Sequence, residues 1–364
     1  MCRTAHRHSI FCILPPDVLS NIVRNGTPEQ REAAIQALNV DTTLRTQRLT
    51  FHLLGGPLGR QDVSGAPPAV KRTIYDAGHT QALPGKAVRD EGGPATQDVS
   101  VNEAYDGLGA TFNFYLNAYE RNSIDNAGLP LDASVHYGNK YDNAFWNGQQ
   151  MVFGDGDNVI FGRFTVSVDV IGHELTHGVT GSEANLTYQG QSGALNESVS
   201  DVFGSLVKQF QLKQTADKAD WLIGAGLLAP GINGVALRSM KAPGTAFDDK
   251  ILGKDNQPAN MKNFVHTVQD NGGVHTNSGI PNHAFYLVAM AIGGNAWEKA
   301  GQIWYDTISD KNLPQSASFS KFASRTAVHA AQRYGSNSAE RKAVLDAWKQ
   351  VGVKIGTAAG AATA

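Results

Sequence analysis

The stretches 170–179, VIGHELTHGV, and 193–203, GALNESVSDVF, decide how this chain folds and what chemistry it can carry. Apolar residues recur in both at helical spacing, so 170–179 and 194–211 are read as helices. His173 and His177 are four residues apart and share one helical face, where both imidazoles can reach a single zinc ion. Glu174 lies beside them, placed to hold a water. A surface helix with two histidines is the bland alternative. Catalytic zinc needs three protein ligands and an open fourth position. Glu197 and Asp201 are again four apart on one face. One can ligate zinc while the other accepts the second N–H of a zinc-bound histidine. Val199, Val202 and Phe203 mark that helix as largely buried, and a buried carboxylate needs a partner. A third stretch, DNGGVH at 270–275, puts two glycines in a closely approaching loop and an Asp270 able to orient His275.

Outward from these motifs the chain divides in three. Helical patterns fill the C-terminal side at 281–292, 297–307, 318–334 and 338–351, with a frayed tail after them. Between Ala69 and Val168 the pattern is strands and turns around one long amphipathic helix, 98–120. Strand-like runs lie at 73–76, 135–138 and 150–154. Ahead of Ala69, a short helical pattern follows Pro15-Pro16, and Thr27 caps a second helix that opens at Pro28. A Gly/Pro-rich linker, 54–68, separates this segment from the rest and is chemistry that proteases nick.

Composition excludes several classes. With 31 basic and 33 acidic residues in 364, the net charge is −2, which argues against a nucleic-acid binder. No apolar run approaches the roughly 18 residues a membrane span needs. Two cysteines, Cys2 and Cys12, make no disulfide scaffold. The apolar run 10–14 is too short for a secretory leader, so the expected location is cytoplasmic, or outside the cell by a leaderless route.

Taken together, HELTH at 173–177, GALNESVSD at 193–201 and DNGGVHTNSG at 270–279 resemble the thermolysin-like metallopeptidases. NAFWNG at 143–148 and MVFGDGD at 151–157 extend the likeness, which runs in order from about Arg72 to about Val351. The short N-terminal segment resembles the propeptide of the protealysin subgroup. The resemblance implies an α+β, two-domain zincin. A propeptide (1–65) would precede a β-rich half (66–168) and an α-helical half (169–364), with the active-site helix between the halves. It implies His173, His177 and Glu197 as zinc ligands and Glu174 as general base and proton donor. His275 and Tyr188 would stabilise the oxyanion, with Asp270 orienting His275 and Asp201 holding His173. Asn143, Ala144 and Arg238 would hold the peptide. Phe161, Phe164, Val170, Leu227 and Leu237 would line the pocket after the cleaved bond, made shallow by Phe164.

The implied activity is a zinc endopeptidase cutting on the amino side of hydrophobic residues, made as an autoprocessed precursor. Its partners would be peptide or protein substrates and its own propeptide as intramolecular inhibitor, with no nucleic acid and no membrane span. A catalytically silent, zinc-stabilised binding protein is the alternative, and the presence of Glu174, His275 and Tyr188 argues against it. Two departures from the family pattern bear on cofactors. Lys208 and Ala225 stand where calcium ligands belong beside Asp169 and Asp220, and a Lys side chain offers no oxygen. The Lys208 ammonium is therefore expected to replace the ion, pairing with Asp169 or Asp220. Leu228, Ala229 and Val235 fail a second calcium loop, and a shortened hairpin at 89–94 puts a third in doubt. Cys2 is a candidate inhibitory zinc ligand, since a thiolate can take the open position. An uninvolved terminal cysteine is the alternative.

Overall fold

The computed structural model describes residues 11–54 and 67–356, with side chains for 12–43 and 67–356. Cys2, most of the linker and the extreme C-terminus lie outside the described residues.

Short strands build one mixed sheet. They are β1 (Phe11–Cys12), β2 (Arg72–Asp76), β3 (Lys86–Asp90), β4 (Leu131–Val135), β5 (Ala144–Trp146) and β6 (Gln150–Phe153), in the order β1-β5-β6-β4-β2-β3. β4 runs parallel to β2 and β6, and the other pairings are antiparallel. The long helix α3 (Val99–Tyr119) matches the expected segment because both ends are chemically defined. The Asp98 carboxylate accepts from the Ser100 and Val101 N–H groups, and Glu120 turns left-handed and stops the helix. The strand read at 135–138 is corrected. It ends at Val135, where His136 takes a φ of 55°. His136 holds one ring nitrogen on Asp98 (2.7 Å) and the other on Asp155 (2.9 Å). Those bonds, to Asp155 above all, raise its pKa to about 9, so it is a charged clamp between the start of α3 and the end of the sheet.

Two helices carry the motifs. α4 (Val168–Ser182) and α5 (Gly190–Leu212) cross where both backbones are bare. A Cβ on Gly204 would stand 2.3 Å from the Asp169 carbonyl oxygen, and one on Gly172 would stand 3.1 Å from the Gly204 Cα. This close crossing holds the two motif faces against each other. Beyond it, β7 (Leu222–Ile223) and β8 (Arg238–Ser239) form a small ribbon. A second ribbon, β9 (Asp248–Asp249) with β10 (Gly253–Lys254), follows, and then the helices α6 (Asp270–Asn277), α7 (Gly279–Ile292), α8 (Ala300–Ile308), α9 (Phe319–Tyr334) and α10 (Ala339–Gln350). Ser318 and Ser338 cap the last two. Among the described residues no helix is long and apolar enough to cross a membrane.

The N-terminal segment packs on this body. It adds β1 to the sheet edge, then α1 (Pro16–Asn25) and α2 (Pro28–Leu54). Helix α2 thus reaches Leu54, the first residue of the stretch read as linker. Ile13, Leu14, Leu19 and Ile22 are fully buried in the same core as the rest of the chain. Burial of this kind contributes about 1.5–3 kcal/mol for each large aliphatic side chain.

Candidate active site

The α4–α5 crossing brings His173, His177 and Glu197 together, all buried, with one potential ligand atom from each lying within 4.8 Å of the others. His173 Nδ1 meets Asp201 Oδ1 at 2.8 Å. His177 Nδ1 meets Asn196 Oδ1 at 2.7 Å and Ser200 Oγ at 3.0 Å. These acceptors hold the proton on Nδ1 of each ring and leave both Nε2 lone pairs turned inward, 3.0 Å apart. Two lone pairs facing each other repel. Glu197 adds carboxylate oxygens 3.5 Å from each Nε2, and its Oε2 has no hydrogen-bond partner among the described residues. Two inward nitrogens and an unsatisfied buried carboxylate oxygen fit a zinc ion in an N,N,O set.

Asp201 is the electrostatic hub. Beyond His173, it accepts both Arg238 Nε and Nη2 at 2.8 Å and Asn282 Nδ2 at 2.8 Å. Burial alone would raise its pKa, but the Arg238 charge and the His173 bond outweigh that and hold the carboxyl well below its ordinary range. Asn196, Ser200 and Asn282 were not singled out in the sequence. Asn196 and Ser200 sit inside the motif helix and were legible there in principle; Asn282 carries no local signal.

The opposite wall comes from α6. Asp270, Asn271, Gly272 and Gly273 all take positive φ, so the chain turns left-handed before Val274 and His275. Asp270 accepts the His275 N–H and its Nδ1, each at 2.8 Å. His275 Nε2 lies 3.4 Å from the Tyr188 hydroxyl, which donates to Glu197 Oε1. Gly193 makes this approach possible, since a Cβ there would meet Val274 at 2.5 Å. Glu174 is buried and accepts from the Trp146 N–H at 3.2 Å, which ties it to the sheet edge.

The residues expected to hold peptide converge on that edge. Asn143, Ala144 and Arg238 are buried, and each bonds the N-terminal segment. Ile13 N–H donates to Ala144 O (3.3 Å), Leu14 N–H to Asn143 Oδ1 (3.2 Å), and Arg238 Nη1 to Ile13 O (3.0 Å). The strand β1, which leads directly into Ile13 and Leu14, was not read in the sequence. Phe161, Phe164, Val170, Leu227 and Leu237 are all buried, with the Phe161 and Phe164 rings 5.8 Å apart and Leu227 and Leu237 both against Gly224.

Lys208 Nζ sits 2.7 Å from Asp169 Oδ2, 2.9 Å from Asp220 Oδ1 and 2.9 Å from Leu222 O, so it pairs with both carboxylates. A second His/Asp group, His79, His136 and Asp155, is also close enough for a metal. There both ring nitrogens of His136 already bond carboxylates, and its raised pKa keeps them protonated.

Comparison with known proteins agrees with this geometry. The thermolysin metallopeptidase catalytic domain model matches residues 65–181, and the thermolysin metallopeptidase alpha-helical domain model matches 184–353. An extracellular metalloprotease of Pectobacterium carotovorum subsp. carotovorum is 54% identical over 95% of this chain and 97% of its own length. Thermolysin of Alicyclobacillus acidocaldarius subsp. acidocaldarius is 39% identical over 77% of this chain and 50% of its own length. Among solved structures, the precursor of protealysin, a metalloproteinase from Serratia proteamaculans, superposes with a TM-score of 0.86 at 58% identity, covering 94% of this chain and 99% of that one. With both domains matched end to end around a zinc-competent triad, this chain belongs to the thermolysin family of metallopeptidases and is a protealysin-like zinc endopeptidase with an N-terminal propeptide region.

Proposed function

We propose that this chain is a self-inhibited precursor whose mature enzyme cleaves peptide bonds on the amino side of hydrophobic residues. The observation that carries this reading is β1 lying antiparallel on β5, with the Cys12 carbonyl oxygen 3.2 Å from His275 Nε2. An extended peptide added to a sheet edge is held by main-chain bonds, and specificity comes from side-chain pockets. The buried apolar cluster of Phe161, Phe164, Val170, Leu227 and Leu237 supports a hydrophobic preference. The segmentation that goes with it is a propeptide at 1–65, a β-rich half at 66–168 and a helical half at 169–364.

Residues then take these roles. Ala144 O and Asn143 Oδ1 accept backbone N–H groups of the substrate, and Arg238 donates to a carbonyl. His173, His177 and Glu197 would hold zinc, which would supply Lewis-acid polarisation of the scissile carbonyl and a water of pKa lowered toward about 7. Glu174 takes a proton from the attacking water and passes it to the leaving nitrogen, a contribution of roughly 10²–10⁴ in rate. Asp270 holds His275 Nδ1 at 2.8 Å and so orients Nε2 toward the cleft. His275 and Tyr188 donate to the carbonyl oxygen as its charge develops, each worth about 2.7–4 kcal/mol.

Lys208 in place of an ion supports a low calcium requirement. Tight calcium uptake in a calorimetric titration would contradict that. The extracellular naming of the Pectobacterium relative supports action outside the cell. The function is tested by an intact-mass time course on the full chain in zinc buffer, with and without Glu174→Ala. Wild type should lose its N-terminal segment and the variant keep it. If both stay whole and neither cleaves a hydrophobic test peptide, the silent binding protein is the better reading.

A further inference from the structure

We propose that the Cys12–Ile13 peptide bond occupies the scissile position, so that the inhibitory segment is itself a slow substrate of this enzyme. The inference rests on the endopeptidase reading above. The register is set by bonds on both walls of the cleft. Cys12 pairs with Phe145 and Phe11 with Trp146, which runs the segment antiparallel to β5. The Cys12 carbonyl oxygen lies 3.2 Å from His275 Nε2, a nitrogen that is itself 3.5 Å from Glu197 Oε2. This carbonyl faces the donor assigned to the oxyanion. The next residue supplies the N–H bonded to Ala144 O and the carbonyl bonded to Arg238, and its side chain is fully buried. Leu14 completes the pattern through Asn143, and Pro15 and Pro16, which lack N–H groups, end it. An acceptor at the reacting carbon, a buried apolar residue just after it and a carbonyl clamp beyond make the arrangement of a substrate.

Hydrolysis there adds water across one amide. The C–N bond between Cys12 and Ile13 breaks, the Cys12 carbonyl becomes a carboxylate, and the Ile13 nitrogen takes a proton by way of Glu174. Slowness has a physical cause. Contacts already complete in the bound state deepen that state without lowering the barrier. Leu19 and Ile22 of α1 also bury the leaving portion in the core, so the new Ile13 amine stays beside the Cys12 carboxylate until α1 departs. Products ending at Cys12 and beginning at Ile13 therefore accumulate after the segment is released.

The test is peptide mapping with α-amine labelling on the full-length protein in zinc buffer, sampled through and beyond maturation, beside Glu174→Ala. A new amine terminus at Ile13 in wild type, absent in Glu174→Ala, supports the proposal. Ile13→Asp should lower cleavage at this bond by at least about tenfold while leaving cleavage near the linker in place. Hydrogen exchange on the Glu174→Ala precursor reads the register without catalysis. The Ile13 and Leu14 amides should be protected, and free-chain exchange at both overturns the register. If the mature enzyme cleaves a hydrophobic test peptide but no Ile13 terminus forms, this inference fails and the endopeptidase reading stands. If neither cleavage occurs, both fail.

Discussion

Asp201 shows how much one side chain can organise. It meets His173 Nδ1, neutralises the buried Arg238, and accepts from Asn282. Asp201→Asn keeps the shape and removes the charge. Arg238 is then a buried cation without its counter-ion, a loss of about 3–5 kcal/mol. His173 also loses the acceptor that orients it, which weakens zinc binding by roughly 10–100-fold. Thermal unfolding and a chelator competition monitored by zinc release should show both effects. Unchanged zinc affinity would mean that His173 is oriented by packing alone. The four-residue spacing of HELTH and of Glu197 with Asp201 made this centre legible, because a helix converts that spacing into a shared face. Asn282 was not legible, since it comes from α7, far away in sequence, and only tertiary packing brings it to Asp201. Nor was the tie from Trp146 to Glu174, because a backbone N–H leaves no mark in a sequence.

Among elements, the crossing of α4 over α5 positions the metal ligands, and it depends on two missing side chains. Gly204→Ala forces a methyl to within 2.3 Å of the Asp169 carbonyl. Backbone cannot give way as a flexible side chain can, so the helices must separate, at about 1–3 kcal/mol by the usual scale of overpacking. Denaturant unfolding should show that loss, together with weaker zinc retention, whereas Gly92→Ala at an open exposed turn should leave zinc retention unchanged. A few residues along α5, Lys208 bridges Asp169 and Asp220. Burial lowers its pKa, yet the Asp169 and Asp220 charges overcome this and raise it, so the ammonium persists at neutral pH. Lys208→Asp exchanges a cation for a third carboxylate. Its melting temperature should fall without calcium and recover with it, while wild type stays insensitive to calcium. The pairing was legible because a lysine among acidic ligand positions has few other uses. The helix boundaries were legible where a cap defines them, as at Asp98 and Ser318. The strand read through His136 was not, since a left-handed residue clamped by two carboxylates ends it.

For the molecule as a whole, the question is what lets the N-terminal segment leave. Its strand β1 was unreadable because two residues give no period, and their pairing is with an edge more than a hundred residues away. Asp17, at the start of α1, faces the site loop and accepts from Asn256 Nδ2 at 2.8 Å. Burial and then the Asp270 charge raise its pKa, with His275 opposing in part. A carboxyl with a raised value in the docked state holds its proton more tightly there than in the detached segment. Docking therefore gains its full contribution below the ordinary carboxylate value, about 4, and loses it as pH rises through the docked value. Neutral pH loosens the segment and mild acid tightens it. Asp17→Asn removes the repulsion at all pH values and keeps an oxygen for Asn256. Its precursor should be converted more slowly than wild type by added mature enzyme at neutral pH, and the difference should shrink as pH falls toward about 4. Intact-mass time courses at matched enzyme activity measure this. Equal conversion rates for the two precursors at neutral pH would show that Asp17 does not govern release and that detachment is limited by the buried side chains of α1.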